Sequence, residues 1–209
     1  MIHTNSVKPE LLALLKRFMA EQDFREFVLV GGTSIGLRFG YRESDDIDLF
    51  CYPDFDQLWL RDVLEVSFAG IRITSLSRAG VFANMGGVKV DFVKHPQPWL
   101  KPHDSFDGVR LASLEDVTAM KINAVMGRGS KKDFSDLLFL HKNGLPLSQS
   151  LQNFTRKYGN DLLFAAIRSL GYFDDTHGTA DPLYLNGWTW DEVKREMTVL
   201  AKQSAKGVP

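Results

Sequence analysis

The amino-acid sequence predicts an α+β protein, in which strands and helices alternate up to about residue 110 and helices alone follow. Short apolar runs that end at glycine, typical of buried strands, occur before residue 95. From "SLEDV" (113–117) onward, apolar residues recur at helical spacing instead. The segment between them, "KHPQPWLKPHDSFDGVR" (94–110), contains three prolines and is interpreted as a long connection. We therefore expect one domain at 1–110 and a helical domain at 111–209.

The elements of the first domain follow from apolar periodicity and from its glycines. Pro9 is tolerated in the first turn of a helix, and the leucines after it are spaced as one helical face. The β-branched and aromatic runs after Gly70 predict an antiparallel meander over residues 71–93. The other predicted elements, in chain order, are a helix at 8–22, a strand at 27–32, a short helix at 33–39, a strand at 46–52 and a helix at 55–68.

In the second domain, a serine followed three residues later by an acid predicts the first helix start. Ser113 and Asp116 have this arrangement. The expected helices are 114–127, 132–142, 147–158, 161–170 and 190–203. The segment 171–188 is rich in turn residues and interrupts this pattern.

Composition excludes several classes of protein. The chain has 209 residues, 44% of them hydrophobic, and a net charge of −1, so it is neither disordered nor strongly basic. A local basic character is present between Arg110 and Lys157, with eight Lys/Arg against four acids. A single cysteine, Cys51, allows no internal disulfide, and we find neither a signal peptide nor a membrane-spanning run. These features predict a cytoplasmic protein without membrane contact.

Three aspartates suggest a metal site. Residues two apart in a strand face the same side, so Asp46 and Asp48 project together while Ile47 faces the core. In the later strand "GVKVDFV" (87–93), Asp91 lies between two core residues and faces away from them. If the two strands are neighbours, three carboxylates converge. Such oxygen ligands suit Mg²⁺, or Mn²⁺ in its place, and can hold a pair of ions for phosphoryl displacement.

A phosphate-binding turn precedes these aspartates. Gly31 and Gly32 follow a strand and precede a helix, so phosphate oxygens could approach the backbone there. The helix start adds free N–H groups and the positive end of its dipole. Thr33 and Ser34 add hydroxyl donors.

The stretch "GGTSIGLRFGYRESDDIDLF" (31–50) resembles the nucleotidyltransferase superfamily of DNA polymerase beta type. More narrowly, Gly-Gly-Thr followed by "R-x-S-x-D-I-D-L-F" is similar to the AbiEii/AbiGii toxin family. The segment "SLEDVTAMKINAVMGRGSKKDFSDLLFL" (113–140) extends the resemblance, because that family carries a helical lysine followed by "KD-x-x-D-L". Lys121, Asp133 and Asp136 match it. The matched motifs cover residues 28–140.

The resemblance implies a mixed β-sheet flanked by helices, with the active site between this domain and a helical one. It implies that Asp46 and Asp48 bind Mg²⁺, with Asp91 as the third ligand, and that Lys121 meets the triphosphate. Asp91, Asp133 or Asp136 would complete the site. The residues expected to bind nucleotide are Gly31, Gly32, Thr33, Ser34, Arg42, Ser44 and Lys121.

The activity implied is transfer of a nucleoside monophosphate from an NTP to RNA, tRNA in some relatives. Such an enzyme would act as the toxin of a bacterial toxin–antitoxin or abortive-infection system, with a cognate antitoxin as a potential partner. Two other hypotheses stay open at this point. One is a nucleotidyltransferase that modifies a small molecule or a protein. The other is an inactive binding module that keeps the fold.

Several of these residues also have a purely structural interpretation. Arg42 could pair with Glu43 or Asp45 instead of phosphate. Asp133 could be a helix N-terminal acid stabilised by the dipole. Asp136 could pair with a neighbouring lysine, and a lone lysine such as Lys121 is ordinarily a surface residue.

Overall fold

The computed structural model describes residues 1–52 and 54–206. The chain divides into two compact units, Met1–Ala112 and Ser113–Pro209. Among the described residues, the first unit contains a seven-stranded mixed sheet and three α-helices, and the second contains five α-helices. The predicted α+β class is confirmed.

The helices of the first unit form where the apolar periodicity predicts them. Pro9 occupies the start of the first helix, where its missing N–H costs no hydrogen bond. Leu11, Leu14, Leu15 and Phe18 then recur on one face and are buried. The three helices are α1 (Pro9–Ala20), α2 (Gly31–Phe39) and α3 (Gln57–Ser67).

The sheet combines a predicted meander with two parallel pairings. The strands are β1 (Phe27–Leu29), β2 (Asp46–Cys51), β3 (Arg72–Ser77), β4 (Gly80–Met85), β5 (Val88–Lys94), β6 (Asp104–Phe106) and β7 (Val109–Leu111). Their order across the sheet is β3-β4-β5-β2-β1-β7-β6. The meander β3-β4-β5 is antiparallel, as predicted, whereas β2 pairs with β5 and β1 with β7 in parallel. The sheet is therefore mixed.

One face of β2 and β5 packs into an aromatic core. Ile47 and Leu49 of β2 and Val90 and Phe92 of β5 are completely buried. The Phe92 ring lies 5.3–5.6 Å from the rings of Phe18, Phe24 and Phe27, and Phe18 stacks on Phe68 at 4.4 Å. These apolar contacts, each of which contributes about 0.5–1.5 kcal/mol beyond area burial, determine which face the two strands turn inward.

The interpretation of residues 94–110 as one long connection is wrong at its end. Residues 104–111 form the hairpin β6-β7, and Leu111 pairs with Leu29 of β1. Asp107 and Gly108 both have positive φ, at 50° and 80°, which is the backbone of a type I′ hairpin turn. The Asp-Gly pair in the sequence was the available signal, and three nearby prolines obscured it.

The second unit is helical, with serine caps at two of its helix starts. Ser113 and Ser130 each accept a hydrogen bond from the backbone N–H three residues later. The helices are α4 (Leu114–Gly127), α5 (Lys131–Lys142), α6 (Leu147–Tyr158), α7 (Leu163–Ser169) and α8 (Trp190–Lys206). Within the described ranges, no helix combines the length and apolar character needed to cross a membrane.

A fully buried ion pair connects α4 to α6. The Lys157 ammonium donates to Asp116 Oδ1 at 2.6 Å, and neither side chain is exposed. Ser113 Oγ lies 2.6 Å from the other Asp116 oxygen. Burial lowers the pKa of Lys157, and the hydrogen bond to Asp116 opposes that change. The pair is internally satisfied, so the loss of one partner leaves an uncompensated charge in a dry interior.

We predict that Lys157→Met lowers the free energy of unfolding by about 3 kcal/mol, because Asp116 stays buried without its cation. Urea unfolding at pH 7 measures this. Lys142→Met is the matched control, since Lys142 pairs with Glu196 at 2.6 Å but both side chains are more than a third exposed. It should cost less than about 1 kcal/mol. Equal losses in the two variants would contradict the assignment.

Candidate functional site

Four charged side chains share one face of the β2–β5 pair. In the parallel register, Asp46 lies opposite Lys89 and Asp48 lies opposite Asp91. Their apolar neighbours along each strand face the core, so these four project to the other side. The structure thus brings all three predicted aspartates onto one surface, together with a lysine that was not predicted.

Lys89 and Asp91 form a close ion pair. The Lys89 ammonium lies 2.6 Å from Asp91 Oδ2; its side chain is 56% exposed, whereas that of Asp91 is only 12% exposed. Partial burial works to lower the pKa of Lys89, but the hydrogen bond and charge of Asp91, with Asp46 and Asp48 adding theirs, raise it overall. The lysine is therefore within the electrostatic field of the whole aspartate group.

Gly31 lies directly against Asp48. A Cβ atom at this position would come 2.3 Å from Asp48 Oδ2, and the backbone φ is +70°. Glycine is required on both grounds, since L side chains rarely adopt this φ and no atom fits in that gap. The first glycine therefore places the start of α2 in contact with a predicted metal ligand.

Gly32 makes equivalent room for Arg42. Its Cβ would come 2.1 Å from Arg42 Nη2, and Arg42 is only 1% exposed. The guanidinium donates to Tyr41 Oη at 2.9 Å and to the Glu43 carbonyl at 2.8 Å. The buried Arg42 guanidinium thus packs against the glycine turn. It adds positive electrostatic potential there, but it does not face solvent.

The predicted hydroxyl donors are also buried. Thr33 Oγ1 lies 2.5 Å from the Asp46 carbonyl oxygen and 2.9 Å from Ser44 Oγ, and Ser34 Oγ donates to the Gly31 carbonyl at 2.9 Å. These bonds fix the start of α2 against β2. Thr33, Ser34 and Ser44 position the turn in this structure, and their hydroxyls do not face solvent.

The start of α2 offers backbone donors. Val30 is its N-cap and, among the described residues, supplies no side-chain cap, because valine has no acceptor. The Val30 N–H itself donates to the Asp48 carbonyl at 2.9 Å. The positive end of the α2 dipole therefore lies next to the strand that carries Asp46 and Asp48.

The oxygen donors of this face are of the chemical type that a hard divalent cation prefers. Asp91 Oδ1 is buried and, among the residues that the structure describes, has no hydrogen-bond partner, a state that an ion or water would relieve. The oxygens of Asp46, Asp48 and Asp91 are the ligands that Mg²⁺ prefers. Within the same residues, no three such side chains are gathered tightly enough to form a closed ligand group. The cation in contact with Asp91 is the Lys89 ammonium.

Lys121, Asp133 and Asp136 form a second cluster, inside the helical unit. The Lys121 ammonium lies 2.9 Å from Asp133 Oδ1 and 2.6 Å from Asp136 Oδ2, and both carboxylates are fully buried. Arg128 and Ser130 donate to the other Asp133 oxygen at 3.0 and 2.6 Å. Lys121, on α4, is thus a partner of Asp136, and Asp133 also lies in the first turn of α5.

These partners set the charge of Asp133. Burial acts to raise the pKa of this carboxyl, but the Lys121 ammonium, with the hydrogen bonds and charge of Arg128, holds it well below its usual range. Asp133 is consequently ionised at every physiological pH.

Lys89 is the site residue that the sequence interpretation missed. The signal was present, since Lys89 is two residues before Asp91 and the period of a strand places both on one face. Only the pairing with β2 shows that this lysine also lies opposite Asp46.

Known proteins share this sequence pattern and fold. The family described as "Nucleotidyl transferase AbiEii toxin, Type IV TA system" matches residues 13–177. An uncharacterized protein of Aquifex aeolicus (strain VF5), aq_aa25, is 32% identical over 174 residues, which span 81% of this chain and 84% of the relative. Both matches exceed two thirds of the chain.

Solved structures show the same nucleotidyltransferase fold. MenT4, the nucleotidyltransferase toxin Rv2826c of Mycobacterium tuberculosis H37Rv, superposes with a TM-score of 0.56 at 12% identity, covering 98% of this chain and 88% of that one. The antibiotic-resistance factor ANT(2″)-Ia has a TM-score of 0.54 at 20% identity, covering 70% and 90%. At such identities the likeness is one of fold.

We predict that Gly31→Ala weakens Mn²⁺ binding by about tenfold or more, because the new methyl group displaces Asp48. Gly70→Ala is the control, since Gly70 has φ +87° but open space around its Cβ position. Backbone strain should cost each variant about 1 kcal/mol of stability, and Gly31→Ala should lose more because it also displaces Asp48; thermal unfolding measures both losses. Isothermal titration with Mn²⁺ separates them, and equal affinities would show that the Asp48 contact is unimportant.

A second prediction concerns acid stability. The depressed pKa of Asp133 contributes stability that is fully present above the unfolded-state pKa of about 3.9 and is lost as pH falls toward the folded pKa. Asp133→Asn should therefore cost about 3 kcal/mol at pH 7, and its deficit against wild type should shrink from pH 5 to pH 2. Urea unfolding across that range measures both. Exposed Asp161→Asn should stay within about 0.5 kcal/mol of wild type throughout, and a pH-independent deficit for Asp133→Asn would refute the assignment.

Proposed function

Because this chain belongs to the AbiEii nucleotidyltransferase toxin family, we propose that it transfers a nucleoside monophosphate from an NTP to an RNA acceptor, tRNA above all. Family and fold support nucleotidyl transfer itself. The family description, toxin of a type IV toxin–antitoxin system, supports a toxin role with a cognate antitoxin. We place the activity in the cytoplasm, where NTPs and tRNA occur.

The observation that carries this proposal is the arrangement around Gly31. Asp46, Asp48 and Asp91 share one sheet face, and the start of α2 touches Asp48 through Gly31. A triphosphate needs both a hard cation and backbone donors near each other. The direct contact between the start of α2 and the Asp48 carboxylate supports the proposal that both act on one triphosphate.

In the proposed reaction, the acceptor hydroxyl attacks the α-phosphorus in line and pyrophosphate leaves. Asp46, Asp48 and Asp91 would hold Mg²⁺, which when bound neutralises charge on the phosphates. The N–H groups at the start of α2 would orient the triphosphate, and buried Arg42 would add positive potential behind them.

The acceptor hydroxyl must lose a proton, and we propose Asp91 as the group that takes it. Asp133 and Asp136 are weaker candidates, because Lys121 holds both of them. Asp91 retains one oxygen without a hydrogen-bond partner among the described residues. Geometry thus favours Asp91 among the three carboxylates.

Lys121 is the proposed triphosphate contact in the helical unit. Its ammonium donates to two buried carboxylates, so contact with a phosphate requires it to exchange one of them. Asp133 and Asp136 then act by holding this lysine in position.

The local charge supports an RNA acceptor, with eight Lys/Arg against four acids between Arg110 and Lys157. The fold likeness to ANT(2″)-Ia, an antibiotic-resistance factor, supports a small-molecule acceptor as the second candidate. A transfer assay distinguishes the two.

We expect label from one or more α-³²P-NTPs to appear on RNA when the protein, Mg²⁺ and total tRNA are incubated together. Asp46→Ala/Asp48→Ala should abolish the label, at least about 10³-fold, because the cation loses two ligands. Asp62→Ala, which removes an exposed acid of α3 paired with Arg61, is the matched control and should label normally.

The other outcomes separate the hypotheses. Mg²⁺-dependent NTP binding without label on RNA would favour a small-molecule or protein acceptor over RNA. Neither label nor NTP binding would refute nucleotidyl transfer and support a binding module that keeps the fold.

A further inference from the structure

The aspartate face carries its own cation. Lys89 lies opposite Asp46 in the β2–β5 register and 2.6 Å from Asp91 Oδ2, while the field of all three aspartates acts on it. Its side chain is more than half exposed, so it reaches the carboxylates from solvent and can leave them without disturbing the core. Neither the family pattern nor the proposed reaction uses this residue.

The positive charge of Lys89 stabilises the three carboxylates and opposes the binding of a metal ion. Three carboxylates on one sheet face repel one another, and an ammonium among them relieves that repulsion. The same ammonium repels a divalent cation and occupies one oxygen that such a cation would use. Lys89 therefore stabilises the face in the absence of metal and opposes metal binding.

We propose that Lys89 is the internal counter-ion of the Asp46–Asp48–Asp91 face. Its ammonium neutralises these carboxylates in the absence of a divalent cation and moves away from Asp91 when such a cation binds. This inference rests on the proposed function, because it takes the face to be a cation site. Lys89 is a positioning residue that acts through Asp91. It makes metal affinity low until substrate phosphates add their own negative charge.

The test is Mn²⁺ binding to the full chain without nucleotide, followed by the electron paramagnetic resonance signal of free Mn²⁺ at fixed ionic strength. Lys89→Met removes the charge and keeps the length of the side chain. We expect it to bind Mn²⁺ about three- to tenfold more tightly than wild type. Lys89→Arg keeps the charge and should stay within about twofold of wild type.

Lys94→Met is the matched control. Lys94 lies at the other end of β5 and pairs with Asp54 at 2.8 Å, so the variant removes a cation from the same strand but not from the aspartate face. Its Mn²⁺ affinity should equal that of wild type. Asp46→Asn/Asp48→Asn should abolish binding and thereby identify the site measured.

Thermal unfolding supplies a second readout. Without metal, Lys89→Met should melt below wild type, and saturating Mn²⁺ should raise its melting temperature by more than it raises that of wild type. A lysine with a merely structural role would lower the melting temperature without tightening Mn²⁺ binding.

Equal or weaker Mn²⁺ binding by Lys89→Met would overturn the inference and leave the proposed function intact. Equal tightening in Lys94→Met would overturn it as well, since the effect would then be one of net charge. Absence of Mn²⁺ binding in wild type and in every variant would overturn both the inference and the cation site of the proposed function.

Discussion

The parallel pairing of β2 with β5 is the constraint on which the candidate site depends. Ile47, Leu49, Val90 and Phe92 must all turn into the aromatic core, and the period of a strand then forces their neighbours outward. A slip of one residue in either strand would bury carboxylates and expose phenylalanine, so the register is strongly determined. Hydrophobic packing on one side of the sheet thus positions charge on the other.

The carboxylates of this face repel one another unless positive charge lies nearby, and three groups of the structure supply it. Arg42 is buried behind the glycine turn, the start of α2 directs its dipole toward Asp48, and Lys89 pairs with Asp91 from solvent. These groups differ in mobility. The buried arginine and the helix are permanent parts of the fold, whereas an exposed lysine can move when a stronger cation arrives.

The helical unit also pairs carboxylates with lysines, but there the charged groups are buried. Lys157 with Asp116, and Lys121 with two aspartates, are ion pairs satisfied by hydrogen bonds inside the protein. Buried pairs of this kind add little net stability over apolar packing, but they tolerate the loss of neither partner. They therefore specify how α4 packs against α5 and α6 more than they strengthen that packing.

The sequence by itself determined most of the elements, since apolar period, glycines and caps are local signals. It also predicted, from their alternation with core residues, that Asp46, Asp48 and Asp91 face away from the core. Tertiary structure alone decided which strands are neighbours, and with them the contacts of Lys89. It also decided that Arg42, Thr33 and Ser44 are buried and that residues 104–111 complete the sheet. The physical reason is that strand order depends on contacts between residues distant in the chain, which a local pattern of side chains does not specify.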